Sequence, residues 1–263
     1  MSEQILSDDS LLVEANNGIL TLTINRPEKR NALHMSMLDA LGAALADHAQ
    51  DETLKVAVIT ASGDQCFAAG GDLKELDAIR STAQAEVMSK RGRRALDQVR
   101  NFPLPVIAAL NGLALGGGAE LAMACDLRIA AANAEIGFLQ GQLGVTTAWG
   151  GGIDLVAAIG NRRALDLLIS ARRLTANEAL EIGLFDRTCT DDENLQTCLS
   201  TFLQPYLARS RQVLTGFKAL TTGHRQTTHK HLSSIEQNHF ITSWTSAEHW
   251  AAVEQATANR RKK

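Results

Sequence analysis

The stretch that decides the fold of this 263-residue chain is residues 111–152, NGLALGGGAELAMACDLRIAAANAEIGFLQGQLGVTTAWGGG. It opens on an Asn-Gly turn signal, and three consecutive glycines at 116–118 lead into Glu120 and an apolar run that favours a helix. Glycines at a helix start leave amide N–H groups open to a ligand, which suits an anion or a developing oxyanion. Glu120 beside them is a candidate acid or base. From the glycines alone, an ordinary Gly-rich strand-to-helix turn with a capping Glu explains the pattern equally well.

A second stretch repeats this design earlier in the chain. Residues 66–76, CFAAGGDLKEL, follow the apolar run 56–60 and again read as a strand, a loop of small residues and a helix. Two such loops can each offer one backbone N–H to the same oxygen. The pair of stretches therefore indicates an oxyanion site more specifically than either glycine cluster does.

Five motifs in order give the chain a family resemblance. Two of the motifs are the glycine stretches FAAGGDLKEL and NGLALGGGAELAMACD. The others are NRPEKRNAL near the start, a Trp-Gly-Gly element ending at residue 151, and RRLTANEALEIGL at 172–184. Together they resemble the crotonase (enoyl-CoA hydratase/isomerase) family over nearly the whole chain. The resemblance implies an α/β fold, a crotonase-like spiral of ββα turns with a C-terminal helical region. We expect a spiral core over residues 1–195 and a helical trimerisation region over residues 196–263.

The resemblance also assigns roles to four residues. The backbone N–H groups of Gly71 and Gly117 match the family's oxyanion-hole donors for the thioester oxygen, and Glu120 matches the base that activates water. The family's hydratases carry a second glutamate, and the corresponding residue here is Gln140. Glutamine has no titratable proton and can position water only by hydrogen bonds.

Acyl-CoA binding is expected at two loops and one tryptophan. In relatives the early basic loop lies against the CoA pyrophosphate and adenine, and the expected contacts here are Lys29, Arg30, Ala32, Ala69, Asp72, Leu73 and Trp149. A basic residue of the tail, Arg260, Arg261 or Lys262, is expected near a neighbouring subunit's CoA phosphate. The coenzyme A thioester is the substrate, so no cofactor and no metal is predicted.

Three functions remain open at this point. The leading one is an enoyl-CoA hydratase that uses Glu120. The second is a decarboxylase of a methylmalonyl- or ethylmalonyl-type CoA, because VTTAWGGGIDLV resembles the ethylmalonyl-CoA decarboxylase branch and Trp149 suits an apolar carboxylate pocket. The third is a non-catalytic protein that binds RNA through the basic run 90–94, although a solvated helix face explains that run more simply.

Composition limits which partners and which cellular compartment are expected for this protein. With 45% hydrophobic residues, 21% charged residues and a net charge of −3, the chain suits one large domain and does not favour nucleic acid. No apolar run approaches a membrane span and no signal peptide is recognised, so neither a membrane nor a secreted protein is expected. The four cysteines show no CxxC spacing and are interpreted as reduced thiols of a cytoplasmic protein.

Periodicity predicts the remaining elements. Strands are expected at 11–15, 19–25, 55–60, 106–110 and 127–131, and helices at 36–50, 153–159, 162–169 and 175–181, the last with a Thr175/Glu178 capping box. Two long helices are expected at 194–222 and 235–258. Their apolar residues are expected to form the contact of a homotrimer or a dimer of trimers: Leu232, Ile235, Phe240, Ile241, Trp244, Trp250 and Val253.

Overall fold

Two sheets run side by side through the chain, and successive segments contribute one strand to each. The computed structural model describes residues 9–261, apart from the side chains of Leu73 and of residues 259–261. The start of the expected core, the Leu73 side chain and the basic tail therefore lie outside this description. The first sheet holds β1 (Leu11–Asn16), β2 (Ile19–Ile24), β3 (Val56–Ala61), β5 (Val106–Leu110), β7 (Leu127–Ala130) and β10 (Arg187–Thr188), in that order. The second sheet holds β4 (Cys66–Ala68), β6 (Leu113–Leu115), β8 (Glu135–Gly137) and β9 (Arg173–Thr175).

The chain order of these strands makes the predicted spiral. β3 is followed by β4, β5 by β6 and β7 by β8, so each turn places one strand in each sheet. All pairs along this spiral are parallel, while the β1–β2 hairpin and the β8–β9 pair are antiparallel. The helices are α1 (Met35–His48), α2 (Leu73–Leu76), α3 (Thr82–Asn101), α4 (Gly117–Ala124), α5 (Gly151–Ile159), α6 (Asn161–Ser170) and α7 (Ala176–Glu181). The ββα spiral expected from the sequence is confirmed.

Alternation along the central strands buries the first sheet on both faces. Ala57 and Ile59 of β3 point into the main core, whereas Val56 and Val58 point to the opposite face. That second face is covered by α8 (Leu195–Leu207) through a small cluster that includes Leu203. Parallel strands buried on both faces read as unbroken apolar runs, which is why β3 and β5 were recognisable from sequence.

The C-terminal helices differ from the expected pair. Instead of two helices at 194–222 and 235–258, the structure has α8, then α9 (Arg211–Trp244) of 34 residues, then α10 (Ala247–Arg261). The expected first helix is interrupted because Ser210 is an N-cap, whose side chain accepts a hydrogen bond from the Val213 amide. The polar segment 223–234 is helical because α9 packs along α3 and α5 through charged side chains.

This packing also changes the expected subunit contact. Phe240 and Trp244 are buried within the same chain, and the Trp244 indole N–H donates to the Ile79 carbonyl at 3.0 Å. The Trp244 ring also packs against the tilted ring of His249 and meets the Trp250 ring edge-on. These two apolar residues of α9 therefore pack into the core of their own chain, whereas Ile235, another residue of the expected subunit contact, remains 54% exposed. Within residues 9–261, no helix combines the length and apolarity needed to cross a bilayer.

Candidate active site

The two glycine loops meet in space, as the sequence predicts. A side-chain carbon built on Gly70 would lie 3.9 Å from the Gly117 nitrogen, and one built on Gly116 would lie 4.0 Å from the Gly70 Cα. Gly70 and Gly116 both have positive φ angles, of 108° and 55°, so glycine is the residue that fits these turns. The loop after β4 and the start of α4 are thus held in van der Waals contact.

The predicted oxyanion donors remain unpaired where these loops touch. Gly71 forms a bridge with Leu33, but that bridge uses the Leu33 and Asp72 amides as donors. Gly117 is the first residue of α4, where an amide has no acceptor inside the helix. Among residues 9–261, neither the Gly71 nor the Gly117 amide has an acceptor. Both N–H groups are therefore available to a ligand.

Glu120 lies in the first turn of α4, buried at 2% exposure, and its carboxylate accepts hydrogen bonds from several directions. Its Oε2 accepts the Trp149 amide at 2.8 Å and the Gly151 amide at 3.0 Å. Its Oε1 accepts Gln140 Nε2 at 3.0 Å and the Ala148 amide at 3.4 Å. The loop before α5 therefore surrounds this carboxylate with backbone donors.

The environment of Glu120 changes its acidity. Burial, followed by the negative charge of Glu236, raises the pKa of Glu120 from 4.5 to about 7, although the three backbone donors oppose this rise. A buried carboxyl group that titrates near neutral pH can both take up and release a proton under ordinary conditions. Glu120 therefore has the acidity expected of a general acid or base.

Gln140 lies beside Glu120, as its place in the family pattern predicts. It belongs to a short 3-10 helix, Leu139–Leu143, and its amide nitrogen faces the carboxylate. This orientation suits the ionised carboxylate, which the amide oxygen would repel. Within residues 9–261 the buried Gln140 Oε1 has no hydrogen-bond partner, which leaves one acceptor free at the site.

Trp149 connects this site to α3. Its side chain is 4% exposed. A side-chain carbon built on Gly117 would lie 2.5 Å from the Trp149 Cζ3, and one built on Gly92 would lie 2.3 Å from its Nε1. The indole therefore fills the space between α3 and the start of α4, beside the predicted oxyanion donor. Its predicted contact with substrate remains a prediction.

The basic loop at residues 25–33 is interlocked with the first glycine loop. The Leu33 amide donates to the Gly70 carbonyl at 2.8 Å, and the Ala69 amide donates to the Arg30 carbonyl at 3.1 Å. Arg26, which the sequence analysis did not single out, forms a 3.0 Å ion pair with Asp72. That ion pair explains why Asp72, a predicted substrate contact, has a lowered pKa although its partial burial opposes this.

The predicted CoA contacts lie on this joined surface with different exposures. Lys29 and Arg30 are exposed, at the end of the 3-10 helix Pro27–Lys29. Ala32 and Ala69 are half-buried, and Leu73 begins α2. The structure thus brings the six loop residues of the predicted substrate site onto two touching loops.

The basic run 90–94 does not form a free cationic surface. Lys90 pairs with Glu86 and Arg91 pairs with Asp39. Arg93 is turned inward against α9. With three of its four cations paired to carboxylates, the run lacks the unpaired charge that RNA binding needs.

A cluster of possible metal ligands near the end of the first sheet already contains an arginine. Among residues 9–261, one group of metal-ligating side chains clusters closely, namely Cys189, Glu193 and Cys198. Arg187 donates to both oxygens of Glu193, at 3.1 and 3.3 Å, and so places a cation where a metal ion would bind. Glu193 also lines a cavity of about 760 Å³ beside α8, which contains none of the predicted site residues.

Two charged residues near Glu120 were missed by the sequence analysis. Glu236 of α9 accepts the Gly150 amide at 2.8 Å and the Thr147 hydroxyl at 2.6 Å, and it pairs with Arg93 of α3. No local pattern marks Glu236, because it lies 86 residues from Gly150 in a polar helix. Arg93 was visible only as one cation of a basic run.

A two-sheet ββα spiral with a buried carboxyl group beside two unpaired glycine amides defines a protein of the crotonase class. The chain belongs to the enoyl-CoA hydratase/isomerase family, whose model matches residues 14–261.

Individual relatives agree with this assignment. The chain is 37% identical over 196 residues to the mitochondrial methylglutaconyl-CoA hydratase of Mus musculus, which covers 73% of this chain and 62% of that protein. The chain therefore spans about three fifths of that relative's length. It is 33% identical over 189 residues to the short-chain-enoyl-CoA hydratase of Clostridium acetobutylicum, with 72% of each chain covered. The crystal structure of an enoyl-CoA hydratase/isomerase from Pseudoalteromonas atlantica superposes with a TM-score of 0.83 and 29% identity, covering 95% of this chain and 97% of the other.

Proposed function

We propose that this protein is a lyase that adds water across the C2–C3 double bond of a 2-enoyl-CoA. The observation that carries this proposal is the Glu120 carboxyl group, which is buried, titrates near neutral pH and lies one helical turn from Gly117. The hydratase names of several relatives support the same reaction.

The first requirement of the reaction is polarisation of the thioester. The amides of Gly71 and Gly117 donate hydrogen bonds to the thioester oxygen, which draws electron density from C3 and makes it electrophilic. The same two bonds strengthen as negative charge develops on that oxygen. Each such donor contributes roughly 10²–10³ in rate.

The second requirement is a base and a proton for C2. Glu120 takes a proton from water, and the resulting hydroxide oxygen bonds to C3 while the π electrons move into the thioester enolate. Gln140 Oε1 accepts the other hydrogen of that water. Because Gln140 has no proton to give, Glu120 returns the proton it took to C2. The hydroxyl at C3 and the hydrogen at C2 then both come from one water molecule.

The CoA portion is held at the two interlocked loops. We place its phosphates against Lys29 and Arg30, because these exposed cations lie beside Ala69 and Asp72 at the edge of the site. CoA enters as part of the substrate and the steps above require no cofactor.

The test is an acyl-CoA assay with two separate readouts. Crotonyl-CoA should lose its enoyl-thioester absorbance and gain the mass of water, and Glu120→Gln should lower the rate by roughly 10²–10⁴-fold. The same preparations are given methylmalonyl- and ethylmalonyl-CoA, and CO₂ release is measured. If the protein releases CO₂ but does not hydrate crotonyl-CoA, and Glu120→Gln releases CO₂ at the wild-type rate, the protein is a decarboxylase and the hydratase proposal is wrong.

We further propose that the protein is a homotrimer or a dimer of trimers in the cytoplasm. A stripe on α9 supports assembly: Val213, Phe217 and Leu220 share one face at helical spacing and are 43%, 68% and 72% exposed. A second copy of this chain is the partner we assign to that stripe. The four cysteines are unpaired, which supports a reducing compartment.

A further inference from the structure

Two carboxylates hold the loop before α5 from opposite sides. Glu120 accepts the amides of Trp149 and Gly151, while Glu236 accepts the amide of Gly150 between them. Gly150 has a φ of 91°, a left-handed conformation that turns its N–H away from those of its neighbours. Three successive amides are therefore shared between a residue of α4 and a residue of α9.

Glu236 is itself fixed by three donors. Besides the Gly150 amide, it accepts the Thr147 hydroxyl at 2.6 Å and forms an ion pair with Arg93. The side chains of Glu236 and Arg93 are only 8% and 12% exposed, so solvent screens their charges weakly. Arg93 also donates to the Ala148 carbonyl at 3.3 Å, which ties α3 to the same loop.

We propose that Glu236 is a positioning residue for Glu120: it fixes the loop that holds Glu120 and keeps a negative charge beside it. The described partners of Glu236 are Thr147, Gly150 and Arg93, none of them a predicted substrate contact, and Glu236 acts through Glu120. This inference rests on the proposed function only where it predicts rates. The proton equilibrium of Glu120 is a property of the folded protein and can be measured without substrate.

The other charges around Glu120 lie in two groups of paired acids and bases. The Asp154 carboxylate of α5 is bound by Arg100 of α3 and by Arg225 and His229 of α9. The opposite end of α4 faces a second paired group. Its charged members are Arg128, Asp126, Lys218 and Arg225. Gln140, on the 3-10 helix, is neutral. Glu236 is the charged side chain that raises the pKa of Glu120, and Arg93 is the cation paired with it.

The two halves of this ion pair give opposite predictions. In Glu236→Gln, a nearby negative charge is lost and Arg93 remains, so Glu120 should lose its proton at lower pH. In Arg93→Gln, Glu236 is no longer offset, so Glu120 should keep its proton to higher pH. Two carboxylates that accept from adjacent amides lie within about 9 Å, so at an effective dielectric of about 20 the loss of the Glu236 charge should lower the midpoint by about 1 pH unit or more, and the loss of the Arg93 charge should raise it.

The experiment measures the protonation of Glu120 in two ways, by infrared spectroscopy and by the pH dependence of the rate. Infrared difference spectra record the band of its protonated carboxyl group, identified by its loss in Glu120→Gln, as pH is changed. The pH profile of kcat/KM for crotonyl-CoA hydration gives the same titration as its acid limb. Glu236→Asp keeps the charge and should restore most of the wild-type midpoint. Glu86→Gln and Arg91→Gln remove matched charges from exposed ion pairs of α3 and should leave the midpoint unchanged.

Midpoint shifts of opposite sign in Glu236→Gln and Arg93→Gln would support the inference. Equal midpoints, or shifts in one direction for both variants, would overturn it and leave Glu236 as a residue that only holds the loop. If wild-type protein fails to hydrate enoyl-CoAs while the infrared midpoints still move in opposite directions, the proposed function fails and the role of Glu236 stands.

Discussion

The ionisation that the proposed reaction needs should destabilise the fold, and Glu120→Gln measures by how much. The pKa of Glu120 is raised from 4.5 to about 7 by burial and by Glu236. A raised pKa means that the folded protein holds the proton more tightly than the unfolded chain does. The resulting stabilisation is therefore complete below pH 4.5 and is lost as pH rises through 7.

The magnitude follows from the size of the shift. A difference of about 2.5 pH units corresponds to about 3 kcal/mol of unfolding free energy at about 1.4 kcal/mol per unit. Wild-type protein should lose this amount between pH 4.5 and pH 8, whereas Glu120→Gln, which cannot ionise, should not. All other titrating groups are common to both proteins, so their contributions cancel in the difference.

The assay is equilibrium unfolding in denaturant at several pH values between 4.5 and 9. The difference in unfolding free energy between wild type and Glu120→Gln should change by about 3 kcal/mol over this range, mostly between pH 4.5 and pH 7 and with half of the change reached at about pH 5.8. Glu86→Gln, an exposed carboxylate, is the control and should run parallel to wild type. Parallel curves for wild type and Glu120→Gln would show that Glu120 ionises in the ordinary range, which would refute the argument from burial.

Three further predictions concern the oxyanion site, the second acid position and assembly. Gly117→Pro and Gly117→Ala both add a side chain that contacts Trp149, but only Pro removes the amide donor. The value of kcat/KM should therefore be roughly 10²–10³-fold lower for Pro than for Ala. Equal rates in two folded variants would argue against an oxyanion hole at Gly117. Gln140→Glu should raise hydration of crotonyl-CoA over a narrow pH range, because two carboxyl groups about 3 Å apart share one proton. A rate that falls at every pH would contradict this. Phe217→Asp should convert trimers to monomers in light scattering, with Val87→Asp, a similarly exposed site, as control; a wild-type monomer that is fully active would refute the assembly.

The sequence by itself determined the elements whose signals are local. β2, β3, β5 and β7 carry apolar alternation or unbroken apolar runs, and α7 begins at the Thr175/Glu178 capping box that the structure contains. The short strands β6, β8 and β9 went unrecognised because three residues are too few to show a period. The glycine loops and Glu120 were found because their chemistry lies within single short motifs.

Only the tertiary structure decided what surrounds Glu120. Its pKa depends on burial beneath α5 and on Glu236, which lies 116 positions further along the chain in a mostly polar part of α9. The helix α9 is continuous because its polar side chains find partners on α3 and α5, as Arg225 and His229 do at Asp154. Such ion pairs join residues that are distant in sequence. The local sequence pattern therefore cannot predict which charged side chains will pair.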